Sequence, residues 1–449
     1  MALTKQMKHA IYKKYLLIVL LVILSFNYMD RLVLGLLLQD IKADLSLSDT
    51  QLGLLTGIAS SLFYALMGIP IARWADRGNR VTIIAISTAL WCAAVALCGV
   101  ATNFLQLLLV RIGAAVGEAG CVPPAYSLIA DYFDRAERPK AVAIYNLGGP
   151  LSAVLGYLLA GWLNEHYGWR ATFILLGLPG IGLAVLAWTS LREPRRLGRT
   201  MTLTNADTRP ISDGALENVA QPSLTDAWMT LWHNPTFRHM LIGFSVLSFF
   251  GAGIAQWSPA FFMRSYGLGS AELGRWLTVI FGLGSLLGTS LAAVLAARYA
   301  AHNERAQLKI TAIAYCSFGF ISAAVYDSNN RYIAFALTAL IAVGTYVVSA
   351  PFLAILQTLV PERMRAVSIA VFLLFSSFIG LGLGPLAAGI LSDRFRPWAG
   401  EESLRYSLMV LSPGYLWGAW HYWRASTTVT GDLESAEEAT RRRGIAVLR

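Results

Sequence analysis

Charged residues are scarce in this sequence. Asp, Glu, Lys and Arg together make up 14% of its 449 residues, whereas 56% are hydrophobic. Soluble domains carry about 25% charged residues, and a water-soluble chain of this size has no room to bury so much apolar surface. This scarcity excludes an ordinary soluble protein and indicates a chain whose main solvent is lipid.

Cysteines and catalytic motifs are also missing or few. The four cysteines lie in apolar stretches without metal-ligand spacing, so we expect neither disulfides nor zinc. No H-E-x-x-H or G-x-x-x-x-G-K-[ST] motif occurs, which argues against a metalloprotease and a nucleotide-driven pump. We therefore expect no catalytic activity, no metal and no cofactor, and keep a membrane-embedded enzyme as a remote alternative.

The net charge of +10 does not indicate a nucleic-acid partner. The basic residues form short clusters between apolar runs, whereas a nucleic-acid interface needs a continuous basic face. Such clusters are typical of the cytoplasmic loops of membrane proteins. With both termini cytoplasmic, most clusters lie on one side of the membrane, so we expect an integral multi-pass protein of a bacterial inner membrane.

Apolar stretches of spanning length recur along the chain. A helix needs about 20 apolar residues to cross a bilayer, and about twelve such stretches are present. We place them at 16–38, 51–72, 81–100, 105–128, 141–163, 170–191, 237–262, 273–297, 308–326, 331–355, 365–391 and 404–423. The polar stretch between the sixth and seventh spans indicates two six-helix halves.

The predicted organisation is therefore an all-α membrane protein of two pseudo-symmetric bundles. The expected regions are an N-terminal bundle (1–191), a cytoplasmic linker (192–236), a C-terminal bundle (237–424) and a cytoplasmic tail (425–449). An internal repeat supports the two halves: Arg138–Ile144 and Arg363–Ile369 are similar, and each leads into a glycine-rich span. Parallel repeats of this kind are typical of transporters.

Four charged residues fall deep inside predicted spans, away from the span ends, where a charge costs about 2.5–3.5 kcal/mol on insertion scales and indicates function. Asp30 and Arg31 lie in the first span, and Arg111 and Glu118 lie in the fourth. At 1.5 Å per residue, Asp30 lies about 21 Å from the cytoplasmic start of its span, and Glu118 about 20 Å from the outer start of its span. Both therefore lie in the middle third of a hydrocarbon core of about 30 Å. We predict that the two acids exchange protons and that the two arginines hold an anionic substrate.

Two further sets of residues are candidates. The turn with Asp76, Arg77 and Arg80, together with Asp131, is predicted to form a conformational latch, because ion pairs can hold one state until a rocking motion breaks them. In the second half, Gln256, Trp257 and Tyr346 are predicted to line the substrate cavity, although packing is a plausible role for each of them. That half is otherwise apolar, which suits a substrate with a charged head and an alkyl tail.

These motifs resemble a known family. Asp76-Arg77 with Arg80 resembles the conserved turn of the major facilitator superfamily, and Arg111 resembles its fourth-helix arginine. Asn27–Arg31, Val116–Ala119 and Ile129–Phe133 are similar to spinster-type transporters. The resemblance implies proton coupling through Asp30 and Glu118, and transport of lysolipids or sphingosine-1-phosphate.

The expected function is thus a proton-coupled secondary transporter, working by alternating access on a small amphipathic, lipid-like anion. A transporter of small organic or sugar acids is the alternative, since the same arginines would serve it. We expect membrane lipids and protons as partners, no nucleic acid, and a monomer.

Overall fold

A computed structural model describes residues 2–194, 229, 231–295, 303–360 and 365–447. Within these ranges the chain is helical and contains no strand. Most of the predicted linker 192–236, and Arg363 of the internal repeat, lie outside the described residues.

Eight helices precede the linker. They are α1 (Ala2–Leu45), α2 (Asp49–Thr56), α3 (Ile58–Arg77), α4 (Arg80–Cys98), α5 (Phe104–Glu118), α6 (Val122–Tyr132), α7 (Arg138–Asn146) and α8 (Gly148–Ser190). Polar side chains begin several of them. Ser48 and Gln51 form a capping box at α2, and Asn79 and Asn103 cap α4 and α5 by accepting backbone N–H bonds.

Nine α-helices follow the linker in the part of the chain that the structure describes. They are α9 (Pro235–Tyr266), α10 (Ser270–Leu277), α11 (Gly284–Leu295), α12 (Glu304–Asp327), α13 (Arg331–Leu359), α14 (Arg365–Phe375), α15 (Gly384–Ala399), α16 (Ser403–Leu411) and α17 (Gly414–Val447). Two π-helical segments, Thr278–Leu283 and Ser376–Leu383, join α10 to α11 and α14 to α15. Such segments are rare and mark sites of irregular helix packing.

Ten stretches of the described residues are long and apolar enough to cross a membrane. Two of these are far longer than one crossing: Arg138–Ser190 has 53 residues and Val371–Ser435 has 65. Since 53 helical residues measure about 80 Å and the hydrocarbon core about 30 Å, each holds two crossings, which brings the total to about twelve. In α8 the two crossings meet at Gly168, whose φ of 78° is a left-handed conformation that glycine adopts without strain.

The chain forms two compact units. Unit 1 comprises the described residues of Met1–Asp40 and Leu62–Ala220, and unit 2 those of Ile41–Ser61 and Gln221–Arg449. The segment Ile41–Ser61, which the sequence suggested was part of the first bundle, groups with the second unit. The predicted region boundaries at 191 and 237 stay predictions, because most of the linker between them lies outside the described residues.

Each unit has an apolar interior. In unit 1, α4 packs against α5 and α8, and a buried cluster from α1, α4 and α6 includes Leu20, Ile84 and Leu128. In unit 2, α9 packs against α15 and α17, and α2 packs against α15. Many large apolar side chains stay exposed, Leu109 at 60% and Leu287 at 63% among them, as expected for faces that contact lipid.

Candidate functional site

The four ionisable residues predicted inside spans come together in unit 1. We call Asp30, Arg31, Arg111 and Glu118 the Glu118 cluster. Asp30 and Arg31 are neighbours on α1, while Arg111 and Glu118 lie two turns apart on one face of α5. The cluster is therefore built by two helices, each of which supplies one acid and one base.

The pairing in the Glu118 cluster runs between the helices. Nη1 of Arg111 donates to both carboxylate oxygens of Asp30, at 2.9 and 2.7 Å. Arg31 donates to Oε2 of Glu118 from Nε at 3.1 Å and from Nη2 at 2.8 Å. Each buried charge thus has an opposite partner, which offsets the high cost of taking ions out of water.

The two ion pairs differ in their access to solvent. The side chains of Asp30 and Arg111 are 2% and 1% exposed. In the other pair Glu118 is 2% exposed, but Arg31 is 30% exposed. The guanidinium of Arg31 also lies 4.9 Å from the ring centroid of Tyr64. Arg31 is therefore the most exposed member of the Glu118 cluster.

Glycine packing sets the position of Glu118. A Cβ added to the neighbouring Gly117 would lie 2.7 Å from the backbone N of Trp91 and 2.9 Å from the carbonyl oxygen of Ser87, which is too close. The absence of a side chain at Gly117 lets α5 approach α4 closely. The acid at the next position is thereby held within the helical bundle.

The residues predicted as a latch separate into two groups. Arg80 is fully buried, and its Nη2 lies 2.7 Å from Asp131 and 2.5 Å from Glu193, while Nη1 donates to Ser127 at 2.8 Å. Asp76 and Arg77 are exposed. Sequence reasoning missed Glu193, which follows α8 in a basic stretch and also accepts the backbone N–H of Arg80 at 2.7 Å.

A second buried charge cluster lies in unit 2. We call Lys42, Asp49, Arg264, Ser392 and Asp393 the Asp49 cluster. The Asp49 carboxylate accepts from Lys42 at 2.7 Å, from both Nη atoms of Arg264 at 2.8 and 2.6 Å, and from the Ser392 hydroxyl at 2.6 Å. Asp49 itself is 0% exposed.

The backbone joins the same cluster. The carboxylate of Asp393 accepts hydrogen bonds from the N–H groups of Asp49 at 3.0 Å and Thr50 at 2.7 Å. These two N–H groups lie at the start of α2, where the helix itself provides no acceptor for them. Lys42, Asp49 and Arg264 were not among the residues singled out from the sequence. Their joint burial depends on the fold, so no local signal reveals it.

The three predicted cavity residues of the second half have different surroundings. Trp257 is 0% exposed, and its Nε1 donates to the carbonyl oxygen of Pro385 at 2.8 Å. Gln256 is half-buried, and Tyr346 is 37% exposed. In this structure Trp257 is buried with its polar atom bonded, whereas Gln256 and Tyr346 retain accessible surface, and a role in lining the substrate cavity stays a prediction for all three.

Unit 1 also contains an apolar cavity of about 280 Å³. Side chains of α1 and α8 line it, among them Phe26, Met29 and Leu159. Its two hydroxyls are already bonded within their own helices, since Ser25 donates to Leu21 at 2.8 Å and Ser152 to Gly149 at 2.5 Å. The cavity therefore offers an apolar surface with no unmet polar group.

The family follows from comparison with known proteins. A sequence profile described as Major Facilitator Superfamily matches residues 20–385. The chain belongs to the Major Facilitator Superfamily. It is accordingly a secondary transporter of small substrates and an integral multi-pass membrane protein, and it is not an enzyme. The predicted all-α fold of two six-helix bundles is confirmed.

Relatives in several organisms cover most of the chain. An MFS-type efflux pump of Mycolicibacterium smegmatis is 31% identical over 417 residues, 92% of this chain and 93% of its own length. The human protein spinster homolog 1 is 27% identical over 432 residues, 88% of this chain and 77% of its own. A probable L-galactonate transporter of Escherichia coli is 26% identical over 375 residues, 82% and 80% of the two chains.

Solved structures agree with the spinster resemblance. A bacterial homolog of the human lysosomal transporter Spinster, crystallised in an inward-facing and unoccupied conformation, matches with a TM-score of 0.78 and 31% identity, over 94% of this chain and 98% of that one. Its inward-facing, occupied form matches with a TM-score of 0.76 and 30% identity, over the same shares. The chain is therefore a spinster-like member of the superfamily.

Proposed function

We propose that this transporter is coupled to protons and carries an amphipathic, anionic, lipid-like substrate by alternating access. The observation that carries the proposal is the unequal ion pair of the Glu118 cluster. Arg31 is 30% exposed, whereas its partner Glu118 is 2% exposed. A substrate can thus reach the base of this pair without contacting the acid.

Coupling follows from competition for Arg31. A phosphate or carboxylate head group binds guanidinium in a bidentate geometry similar to the one that Glu118 uses now. Once the substrate takes Arg31, Glu118 is a buried carboxylate with no partner on that side. Because such a charge is costly in a medium of low dielectric, Glu118 then takes a proton. Binding of substrate and binding of a proton therefore favour each other.

The second ion pair has a complementary role in this proposal. Asp30 and Arg111 are both almost fully buried, so their charges persist while Arg31 changes partner. Arg111 holds a positive charge near Glu118 and limits the cost of its ionised state. Asp30 is the second proton-accepting group of the cluster, and it is used when Arg111 turns towards the substrate.

The apolar cavity of unit 1 supports a substrate with an alkyl chain. Its lining has no unmet polar atom, and it lies on the same helix as Asp30 and Arg31. A flexible chain fills such a space at no cost in hydrogen bonds. The spinster resemblance favours the same class of substrate, a lysolipid or a molecule like sphingosine-1-phosphate.

Small organic or sugar acids remain the second candidate. The similarity to a probable L-galactonate transporter of Escherichia coli supports them, at 26% identity over 82% of this chain. An acid of this kind would bind Arg31 equally well but would leave the apolar cavity unused.

The Arg80 group is proposed as the latch. Arg80, Asp131 and Glu193 tie α4 to α6 and to the chain after α8. Opening this contact exposes a buried guanidinium, so it favours one conformational state. Asp76 and Arg77 are proposed to join it in that state. We also propose cytoplasmic termini, on the basis of the charge pattern, and a monomer in a bacterial inner membrane.

Transport into liposomes tests the proposal. Purified protein is reconstituted with an imposed pH gradient, and uptake of an anionic lysolipid is compared with that of L-galactonate. We expect saturable, gradient-dependent uptake of the lysolipid. Arg31→Gln should lose it, while Arg331→Gln, which changes an exposed arginine paired with Glu272 at 3.4 Å, serves as the matched control. Uptake of L-galactonate without uptake of the lysolipid would reject a lipid-like substrate and support a sugar acid as the substrate.

A further inference from the structure

A very small cavity adjoins the Asp30 side of the Glu118 cluster. It has a volume of about 10 Å³ and is lined by α1, α4 and α8, with Asp30, Trp91 and Cys92 among the lining residues. All of its lining belongs to unit 1. A volume of about 10–15 Å³ is what a single water molecule requires.

One wall of this cavity carries an unused hydrogen-bond donor. The Trp91 side chain is 2% exposed, and its Nε1 has no acceptor among the described residues. A buried donor without an acceptor costs about 1–3 kcal/mol, so native proteins rarely leave one. Trp257, the other fully buried tryptophan, bonds its Nε1 to Pro385 at 2.8 Å. The difference indicates that Trp91 donates to something inside the cavity.

Asp30, which also lines the cavity, carries acceptor capacity. Both oxygens of Asp30 accept from one atom, Nη1 of Arg111. An ionised carboxylate has about four lone-pair positions, so about two remain. The lining of the cavity thus includes one residue with an unused donor and one with unused acceptor capacity, and its other residues are apolar apart from the Cys92 thiol.

The size and charge of the site select its ligand. A space of about 10 Å³ is too small for phosphate or a carboxylic acid. A cation has no vacant negative charge to bind, because Arg111 already neutralises Asp30. The ligand must accept from an indole N–H and donate to a carboxylate. A water molecule does both.

We propose that one ordered water bridges Nε1 of Trp91 to the carboxylate of Asp30, and that Trp91 is a positioning residue of the proton site. The inference rests on the proposed function only where it assigns Asp30 to proton coupling; the water itself does not depend on it. The bridge fixes the orientation of Asp30 towards Arg111. It also gives the carboxylate a hydrogen-bonded neighbour through which a proton can arrive.

Ultraviolet resonance Raman spectroscopy of the full-length protein tests the bridge. The indole N–H bending band of Trp91 is obtained by subtracting the spectrum of Trp91→Phe from that of the wild type. Trp257→Phe provides the matched reference for a buried, directly bonded indole. We expect the Trp91 band at a hydrogen-bonded position close to that of Trp257. A band at the position of a free N–H overturns the proposal.

A second variant ties the signal to Asp30 and does not require Trp91→Phe to fold, because the shift is read directly in the difference spectrum between the wild type and Asp30→Asn. In Asp30→Asn the Trp91 band should shift, because the water loses its charged acceptor. No shift overturns the bridge. The transport assay separates this inference from the proposed function. A bonded, Asp30-sensitive band in a protein without proton dependence keeps the water and rejects proton coupling. A free N–H in a proton-dependent protein rejects the water alone.

Discussion

The Glu118 cluster and the Asp49 cluster are both buried groups of opposite charges, yet they are built differently. In the Asp49 cluster one carboxylate serves Lys42, Arg264 and Ser392 together, with every contact at 2.8 Å or shorter. In the Glu118 cluster each acid has one base, Arg31 is 30% exposed, and Nε of Arg111 has no acceptor among the described residues. The first arrangement saturates its central acid, whereas the second leaves bonding capacity unused.

The different number of partners per charge indicates that the two clusters have different roles. A saturated carboxylate has little capacity for a further ligand, so the Asp49 cluster holds α2 to α9 and α15 within unit 2. An unsaturated pair can exchange its partner for a proton or an anion at moderate cost. Burial of charge alone therefore does not identify a working site. The number of partners per charge separates a structural cluster from one suited to transport.

The largest effect is expected from Asp49→Asn. The substitution keeps the shape but leaves Lys42 and Arg264 buried without a counter-charge, which costs about 3–5 kcal/mol. Reversible unfolding in mixed micelles measures the loss, with Asp44→Asn as a control at a nearby acidic position of α1. A stability equal to that of the wild type would mean that the Asp49 cluster has no structural role.

Glu118→Gln should affect transport instead of stability. The amide cannot exchange a proton, so we expect proton-driven uptake to fall by about 100-fold, or about 2.7 kcal/mol. Its folding should stay within about 1 kcal/mol of the wild type, since the exposed Arg31 regains water when it loses its partner. Uptake that keeps its full pH dependence would remove Glu118 from the mechanism.

Arg31→Ala should weaken binding of an anionic head group by about tenfold, the equivalent of one charge-assisted hydrogen bond. Isothermal titration with an anionic lysolipid measures the affinity. Arg31→Lys keeps the charge but loses the bidentate geometry, so its affinity should lie between those of the wild type and Arg31→Ala. If all three proteins bind equally well, Arg31 is structural.

The smallest effect is expected from Lys42→Met. Asp49 keeps Arg264 and Ser392 after this change, and the methionine fills the space of the lysine stem. We expect a loss below about 1 kcal/mol, close to that of a dispensable ion pair. A loss as large as that of Asp49→Asn would show that the two cations are not redundant, and would weaken the contrast between the clusters.

Much of the fold could be predicted from the sequence. The predicted spans 81–100, 141–163 and 170–191 correspond to α4 and to the two parts of the α7–α8 region, where Gly168 marks the turn. Prediction was weaker where helices are interrupted. The predicted span 51–72 is divided at Gly57, and the span 105–128 is divided between Glu118 and Val122. At Gly57 the break accompanies a close backbone contact with Gly382, which a count of apolar residues does not contain. The break before Val122 precedes Pro123 and Pro124, which lack a backbone N–H, so the count of apolar residues missed a local signal there.

The charged residues of the Glu118 cluster could also be predicted from the sequence. Asp30, Arg31, Arg111 and Glu118 were identified because a charge inside an apolar run of about 20 residues is conspicuous. Lys42, Asp49 and Glu193 occur in polar surroundings along the chain, so their burial was not predicted. Trp257 was expected to face a cavity, but its N–H is bonded to Pro385.

The sequence by itself determined the lipid solvent, the helical class and the identity of the charges inside the spans, because each follows from local composition and the length of apolar runs. Only the tertiary structure decided which acid pairs with which base, that Ile41–Ser61 belongs to unit 2, and that Trp91 and Asp30 line one space of about 10 Å³. Pairing and burial depend on distances between residues far apart in the chain. Those distances are set by how helices pack, and the order of residues along one helix does not contain them.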